Sequence, residues 1–337
     1  MKAVGYYKPL PISDAASLVD LELPMPEPGP HDLRVAVHAV SVNPVDGKVR
    51  SSAQPPEGTA RILGFDAAGI VDAVGAAVTR FAPGDAVFYA GALDRPGCNS
   101  AFHLVDERLV GRKPATLTFE EAAALPLTSV TAWELLFDRL EVPRRDTVAD
   151  GNLLVINGSG GVGSILIQLA RKLTGLTVIA TASRPESVAW CHEMGAHHVI
   201  DHHQPLDQGL RDIGLSSVTY VASLTATEQH LPAIVEAIAP QGKLAVIDDP
   251  KALDIVAFKR KSVSVHWELM FTRSLYQTAD MLEQHMILNE VADLVDAGTL
   301  RTTMTRHGGA ITAANLQTVH AYVESGRSIG KTVLSGF

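Results

Sequence analysis

Leu153-Leu154-Val155-Ile156-Asn157-Gly158-Ser159-Gly160-Gly161-Val162-Gly163 decides the fold of this chain. Four apolar residues, short enough for a buried strand, run directly into glycines spaced as Gly158-x-Gly160-x-x-Gly163. An apolar-periodic stretch, Val162 to Leu173, follows and reads as a helix. Strand, glycine turn and helix in this order form the dinucleotide-binding (Rossmann) fingerprint. Glycine lets the backbone approach a pyrophosphate, and the phosphate charge then sits against the unpaired N–H groups and positive dipole at the helix start. Ser159, Gly161 and Val162 are expected to supply those contacts, with Gly158, Gly160 and Gly163 shaping the turn. The alternative is a glycine-rich strand-to-helix turn that holds no ligand.

Working outward, strand and helix patterns alternate. Strand Thr177 to Ala182 precedes helix Glu186 to Glu193, and further strands read near His198 to Ile200, Val218 to Val221 and Leu244 to Ile247. That succession predicts a parallel, doubly wound α/β sheet with helices on both faces. An NAD-selective site carries Asp or Glu at the end of the second strand, where it binds the ribose 2′-hydroxyl. Here the position reads Ser183-Arg184. A hydroxyl and a guanidinium suit a 2′-phosphate, and no carboxylate stands there to repel it, so NADPH is the expected cofactor. Arg184 as a solvated side chain at a helix start is the competing reading, and Glu186 lies close to it.

The first third of the chain is different in kind. Leu33 to Val42 alternates apolar and polar, and Gly69 to Val74 and Ala86 to Tyr89 read as further strands between proline-rich loops such as Pro24-Met25-Pro26-Glu27-Pro28-Gly29-Pro30. A barrel-like antiparallel domain is expected there. Thr118 with Glu121 three residues later forms a capping box that starts a helix, which Pro126 should break or kink. After Trp267 the pattern gives one long helical stretch, Ser274 to Ala297, a strand near Leu300 to Thr305, a helix through Ala321 and a closing strand Lys331 to Leu334.

The chain has 337 residues, too many for one ordinary core, so two domains are expected. With 46% hydrophobic and 19% charged residues it has a globular composition. Its formal net charge of -9, with no dense basic block, argues against nucleic acid as a partner. Gly151 to Ala170 carries no charge and is long enough to span a bilayer, but its five glycines and interspersed Asn, Ser and Gln argue for strand, turn and helix instead. No membrane span is expected. Two distant cysteines, Cys98 and Cys191, support neither a disulfide framework nor a four-cysteine zinc lobe, and fit a reducing, cytoplasmic setting.

Five stretches together resemble the zinc-independent quinone oxidoreductases, the ζ-crystallin-like branch of the medium-chain dehydrogenase/reductase superfamily. They are Val42-Asn43-Pro44-Val45-Asp46, Gly64-Phe65-Asp66-Ala67-Ala68-Gly69, Phe81-Ala82-Pro83-Gly84-Asp85, Glu120 to Trp133, and Gly158 to Gly163. Within the superfamily the likeness is greatest to a subset labelled zinc-type alcohol dehydrogenase-like. The resemblance implies a GroES-like β-rich domain built from residues 1–127 and 275–337, interrupted by a Rossmann NADP-binding domain over 128–274. It also implies that Asn43 sits near the nicotinamide ribose, Thr131 near the nicotinamide and His202 over the adenine side, and that the protein is a homodimer.

In zinc-dependent relatives a Cys takes the place of Asn43 and a His-Glu pair that of Phe65-Asp66. No good ligand matches these positions, and Cys98 stands alone where a structural zinc lobe would fall, so no metal site is expected. The clustered His197, His198, His202 and His203 are the remaining metal candidates. Without zinc, a carbonyl must be polarised by hydrogen bonds or a cation while hydride arrives. Quinones and α,β-unsaturated carbonyls suit this best, because their charge develops on an oxygen remote from the carbon that receives hydride. Lys48 is the candidate cation for that oxygen, against the plainer reading of a solvated surface lysine, and Tyr89 is a weaker candidate proton donor. A zinc alcohol dehydrogenase and a non-catalytic NADPH-binding protein are the alternatives.

Overall fold

The structure is a computed structural model that describes residues 1–144 and 151–337. In chain order the first strands and helices are β1 (Lys2–Tyr6), β2 (Val19–Glu22), β3 (Asp32–Ser41), α1 (Pro44–Ser52), β4 (Arg61–Ile62), β5 (Ala67–Val74), β6 (Ala86–Tyr89), β7 (Phe102–Asp106), β8 (Val110–Arg112), α2 (Phe119–Ala123) and α3 (Pro126–Trp133). Then follow β9 (Asn152–Ile156), α4 (Gly161–Leu173), β10 (Thr177–Thr181), α5 (Pro185–Glu193), β11 (His198–Ile200), α6 (Leu206–Asp212), β12 (Val218–Ser223), α7 (Thr227–Ala237), β13 (Ile238–Val246) and β14 (Ser264–Trp267). The last elements are α8 (Thr272–Tyr276), α9 (Glu283–Asp296), β15 (Met304–His307), α10 (Ala313–Glu324) and β16 (Lys331–Ser335).

These elements form two compact units, one of Met1–Val130 with Phe271–Phe337 and one of Thr131–Met270. In the first unit, β15, β16, β3, β5, β6 and β8 lie side by side in that order, β7 also pairs with β3, and β2, β1 and β4 make a separate small sheet. β3 alternates inward and outward side chains as its pattern predicts, and Leu33, Val35 and Val37 point into the core. Thr118 and Glu121 close the expected capping box, Thr118 Oγ1 accepting from Glu121 N and Glu121 Oε2 accepting from Thr118 N. Pro126 ends that short helix and begins the next one, where its missing N–H costs nothing.

In the second unit the six strands run in the order β11-β10-β9-β12-β13-β14 with every neighbour parallel. Numbered from β9, this is the 3-2-1-4-5-6 order of a doubly wound sheet, with its switch point between β9 and β12. The apolar faces of α6 and α7 close over one side of the sheet through Leu206, Leu210 and Ile234.

Two sequence expectations change. Ser274 to Ala297 is not one helix: α8 ends at Gln277, which is left-handed at φ 46°, and α9 starts at Glu283. Asp280, in the link, accepts a hydrogen bond from Arg273 Nε at 3.0 Å, which ties the link back to α8. The strand expected over Leu300 to Thr305 lies at Met304–His307, because its register is set by β16 rather than by its own sequence. Among the described residues no helix is long and apolar enough to cross a membrane.

Candidate functional site

The glycine turn lies at the carboxyl edge of β9. Asn157 adopts φ 65° and turns the chain, donating its backbone N–H to Thr181 Oγ1 at 3.0 Å, while Gly158 N donates to Thr181 O at 3.1 Å. Both bonds tie the turn to the end of β10, only two residues before Ser183. Side chains are excluded here by contact: a Cβ on Gly158 would lie 2.6 Å from the Ala180 methyl, and one on Gly163 would lie 2.5 Å from Asn157 O. Gly160 is the N-cap of α4, so the N–H groups of Gly161, Val162 and Gly163 belong to its first turn and have no partner within the helix. Ser159 is buried beside them.

Ser183 and Arg184 follow at the carboxyl edge of β10, each partly exposed. Arg184 caps α5, its backbone N–H donating to Ser187 Oγ, and its guanidinium lies 3.5 Å from Glu186. A partly solvated ion pair of this kind contributes about 0–1 kcal/mol, so a phosphate dianion can compete for the guanidinium. No carboxylate occupies the last position of β10 or the two residues after it. The turn and the helix start therefore fit the pyrophosphate of a dinucleotide.

His202 follows β11 and is half-buried. Its ring centroid lies 4.5 Å from that of His203 and 6.2 Å from that of His230, and burial together with these two neighbours holds its pKa below the usual value. Among the described residues no group of His, Cys, Asp and Glu could hold a metal ion. Thr131 is buried on α3.

The first unit gathers a buried polar network around Asp66. Its Oδ2 accepts from Ser41 Oγ (3.0 Å), Asn43 Nδ2 (2.7 Å) and Lys331 Nζ (3.0 Å), and its Oδ1 accepts from Leu127 N (2.7 Å) at the start of α3. Lys331 is 3% exposed and also donates to Val42 O (2.9 Å) and to Asn43 Oδ1, which uses all three ammonium protons. Both ends of the Asn43 amide are thus engaged inside the unit. Asp46, in the first turn of α1, accepts from Asn43 N (2.8 Å) and Gly64 N (3.0 Å), and burial pushes its carboxyl up to about 7. Cys98 is buried and donates to Asp66 O at 3.3 Å, with its thiol pushed well up by burial.

Lys48 is exposed on α1, five residues after Asn43 and two after Asp46. Tyr89 is wholly buried, stacked on His103 and sharing a 3.1 Å hydrogen bond with His103 Nδ1. Burial raises its pKa far above the usual phenol value, so it holds its proton firmly. Asn43, Asp46, Asp66 and Lys331 are thereby brought together. In the sequence Lys331 was legible only as the first residue of the closing strand, and Asp66 only as a position where zinc-dependent relatives place a metal ligand. What joins them is the pairing of β16 with β3, including Val333 with Ser41.

Comparison with known proteins agrees with this architecture. Residues 29–130 match the alcohol dehydrogenase GroES-like domain and residues 194–334 the zinc-binding dehydrogenase family. A zinc-type alcohol dehydrogenase-like protein of Staphylococcus aureus is 37% identical over 99% of this chain and 100% of its own length. A quinone oxidoreductase of Pseudomonas aeruginosa is 30% identical over 91% of this chain and 92% of its own. A solved structure from Rhizobium etli CFN 42, which carries a zinc-dependent alcohol dehydrogenase name, is 58% identical, with TM-score 0.96, over 100% of this chain and 98% of that one. The chain belongs to the medium-chain dehydrogenase/reductase superfamily of NAD(P)-dependent oxidoreductases, in the family of zinc-type alcohol dehydrogenase-like proteins.

Proposed function

We propose that this chain is an NADPH-dependent reductase that transfers hydride to a quinone or an α,β-unsaturated carbonyl compound without zinc. The observation that carries the proposal is the Lys331 ammonium, which lies against Asn43 and Asp66, two of the positions where zinc-dependent relatives place metal ligands. A cation is already present among these oxygens, all of its protons are used, and Asn43 and Asp66 are satisfied by it and by one another. Asp66 already accepts four hydrogen bonds, the ammonium stands where a metal would meet Asn43 Oδ1, and Phe65 offers no donor.

NADPH supplies the hydride. In this reading the amides of Ser159, Gly161 and Val162 bind the pyrophosphate at the start of α4, with Gly158, Gly160 and Gly163 giving it room. Ser183 and Arg184 bind the 2′-phosphate, His202 packs on the adenine side and Thr131 faces the nicotinamide. Asn43 acts as a positioning residue whose amide is held rigid by Asp66 and Lys331. Lys48 is the exposed cation that stabilises negative charge on the substrate oxygen. The class of substrate follows from that limited catalytic equipment: an enolate or hydroquinone spreads its charge away from the reacting carbon and takes its proton from water.

The same proposal includes a homodimer. Among the described residues β14 is an outer strand of its sheet with only β13 paired to it, Trp267 on it is 56% exposed, and Ile255 and Val256 are exposed nearby in sequence. An edge with exposed apolar residues is the kind of surface that a second copy covers.

The test is NADPH oxidation by the purified protein against a panel of small quinones and enones. Turnover is expected with members of both classes, and Lys48→Ala should lower kcat more than it weakens NADPH binding. Absence of turnover across the panel overturns the substrate assignment, and unchanged kcat removes Lys48 from it. The zinc-dependent name of the Rhizobium etli relative favours a second reading, an alcohol–aldehyde pair acted on through zinc, which metal analysis of the active protein separates from the first.

A further inference from the structure

The first unit contains a cavity of about 600 Å³ that none of the residues assigned above to cofactor or to the Asp66 network lines. It lies among the start of β1, the segments around Pro24 and Pro55, strand β4 and the stretch from Leu93 to Leu104. Its volume is that of a small-molecule pocket. Leu23, Ile62, Leu93, Phe102 and Leu104 give it apolar walls. Pro24, Pro26, Pro55, Pro56 and Pro96 also line it, and their fixed φ angles limit how far the walls can relax, so the cavity is largely preformed.

The polar groups on these walls differ in how far they are committed. Arg95 is spent, because Nη1 and Nη2 grip both carboxylate oxygens of Asp32 at 2.8 and 2.9 Å. His103 has both ring nitrogens engaged, with Tyr89 Oη and Pro96 O, and burial holds its pKa down at about 4, so it is neutral. Ser100 Oγ donates to Phe102 O. Asp94, the acid of this wall, is exposed.

Arg61 stands apart. It projects from β4, held in register by Tyr6 of β1, so its origin is a sheet rather than a loop. Its Nη2 donates to Leu93 O at 3.0 Å, and among the described residues no carboxylate pairs with it. A guanidinium has five N–H donors in a fork suited to a carboxylate, and Arg61 lines the cavity with one of them given to Leu93 O.

From this juxtaposition we propose that the cavity is a second ligand site, one that binds an anionic amphiphile of the fatty-acid class, with the carboxylate on Arg61 and the alkyl chain along the apolar and proline walls. The two ends of such a ligand answer the two kinds of surface present. The alkyl chain removes apolar wall from water, and the carboxylate completes the guanidinium with charge-assisted hydrogen bonds. A dianion has no uncommitted second cation to meet, since Arg95 is neutralised by Asp32 and the Met1 ammonium, also on the wall, donates to Leu23 O and lies 3.7 Å from Glu22.

Decanoate below its micellar concentration is the probe, titrated calorimetrically into the full-length protein with and without saturating NADPH. Saturable binding of one decanoate per chain is expected, with decanol at least about ten-fold weaker and Arg61→Gln reducing decanoate affinity about ten-fold. Ala60→Trp, which fills the cavity from a separate position, should abolish binding while the NADPH affinity of both variants stays at the wild-type value. Equal affinity for decanoate and decanol, or wild-type binding by both variants, overturns the assignment. So does competitive displacement of decanoate by a quinone or enone substrate, which would make the cavity part of the reaction site. Because the readout is binding of a non-substrate, it stands or falls separately from the reductase proposal.

Discussion

Asp66 and Lys331 meet at 3.0 Å with exposures of 0% and 3%, a fully internal ion pair between residues 265 positions apart. Desolvating two charges is expensive, and the pair persists because every polar atom in it has further partners: Ser41, Asn43 and Leu127 for the carboxylate, Val42 and Asn43 for the ammonium. Its worth therefore lies in mutual satisfaction rather than in Coulomb attraction alone.

Removing one partner exposes that dependence. Lys331→Met should destabilise the protein by about 3–5 kcal/mol, since Asp66 is left as an uncompensated buried charge. The double variant Lys331→Met with Asp66→Asn should be less destabilised than the sum of the two single changes. Urea denaturation checks both, and a loss under about 1 kcal/mol for Lys331→Met contradicts the account.

Metal content gives a second expectation. The active protein, after dialysis, should hold no stoichiometric zinc, and a strong chelator should leave NADPH oxidation unchanged, because Asn43 and Asp66 are already bonded to Lys331. Elemental analysis decides it. About one zinc per chain would revive the alcohol dehydrogenase reading.

Cofactor preference rests on the end of β10. NADPH should bind more tightly than NADH, and Arg184→Ala should weaken NADPH roughly 10-fold or more with little effect on NADH. Glu186 lies 3.5 Å from the guanidinium and competes for it, so Glu186→Gln should strengthen NADPH a few-fold. Calorimetric titrations of the three proteins with both nucleotides distinguish these outcomes, and equal wild-type affinity for the two would refute the assignment.

The outer strand of the second unit supports a prediction about assembly. Sedimentation of the wild type should show a dimer, and Trp267→Glu should shift it toward monomer by placing a charge on the exposed edge of β14. A wild-type monomer at micromolar concentration is the contrary result.

His320 on α10 gives the protein a specific sensitivity to acid. It is buried, neither ring nitrogen has a hydrogen-bond partner among the described residues, and burial with Arg50 nearby drives its pKa down to about 3. The folded state thus stays unprotonated while an unfolded chain takes up the proton near pH 6.5, so this residue's contribution is intact above about 6.5 and is lost progressively as pH falls toward 3. His320→Leu should be at least as stable as wild type at pH 7 and lose less stability between pH 7 and pH 4. Thermal or urea melts across that range check it, and an unchanged acid slope counts against it.

How much of this was legible in the sequence depended on distance along the chain. The turn from Asn157 to Gly163 and the box between Thr118 and Glu121 are local, made by residues that see one another within a few positions, and both read correctly. The link after Gln277 was misread because a continuing apolar period hides a left-handed residue. Short strands such as β1, β4 and β8 escaped notice, since strands of two to five residues owe their existence to partners elsewhere in the sheets. Asp66 with Lys331, and Arg61 facing its cavity, were out of reach for the same reason. Only the folded register brings them to their neighbours.

The discontinuity of the first unit also bears on how the chain is made. A ribosome completes Thr131–Met270 before it has supplied β15 and β16, so the parallel sheet can close while the other unit still lacks two of its strands. Until Lys331 emerges, the carboxylate of Asp66 has no counterion and resists burial. The GroES-like half therefore completes its sheet last, with a strand made more than two hundred residues after the one it pairs with.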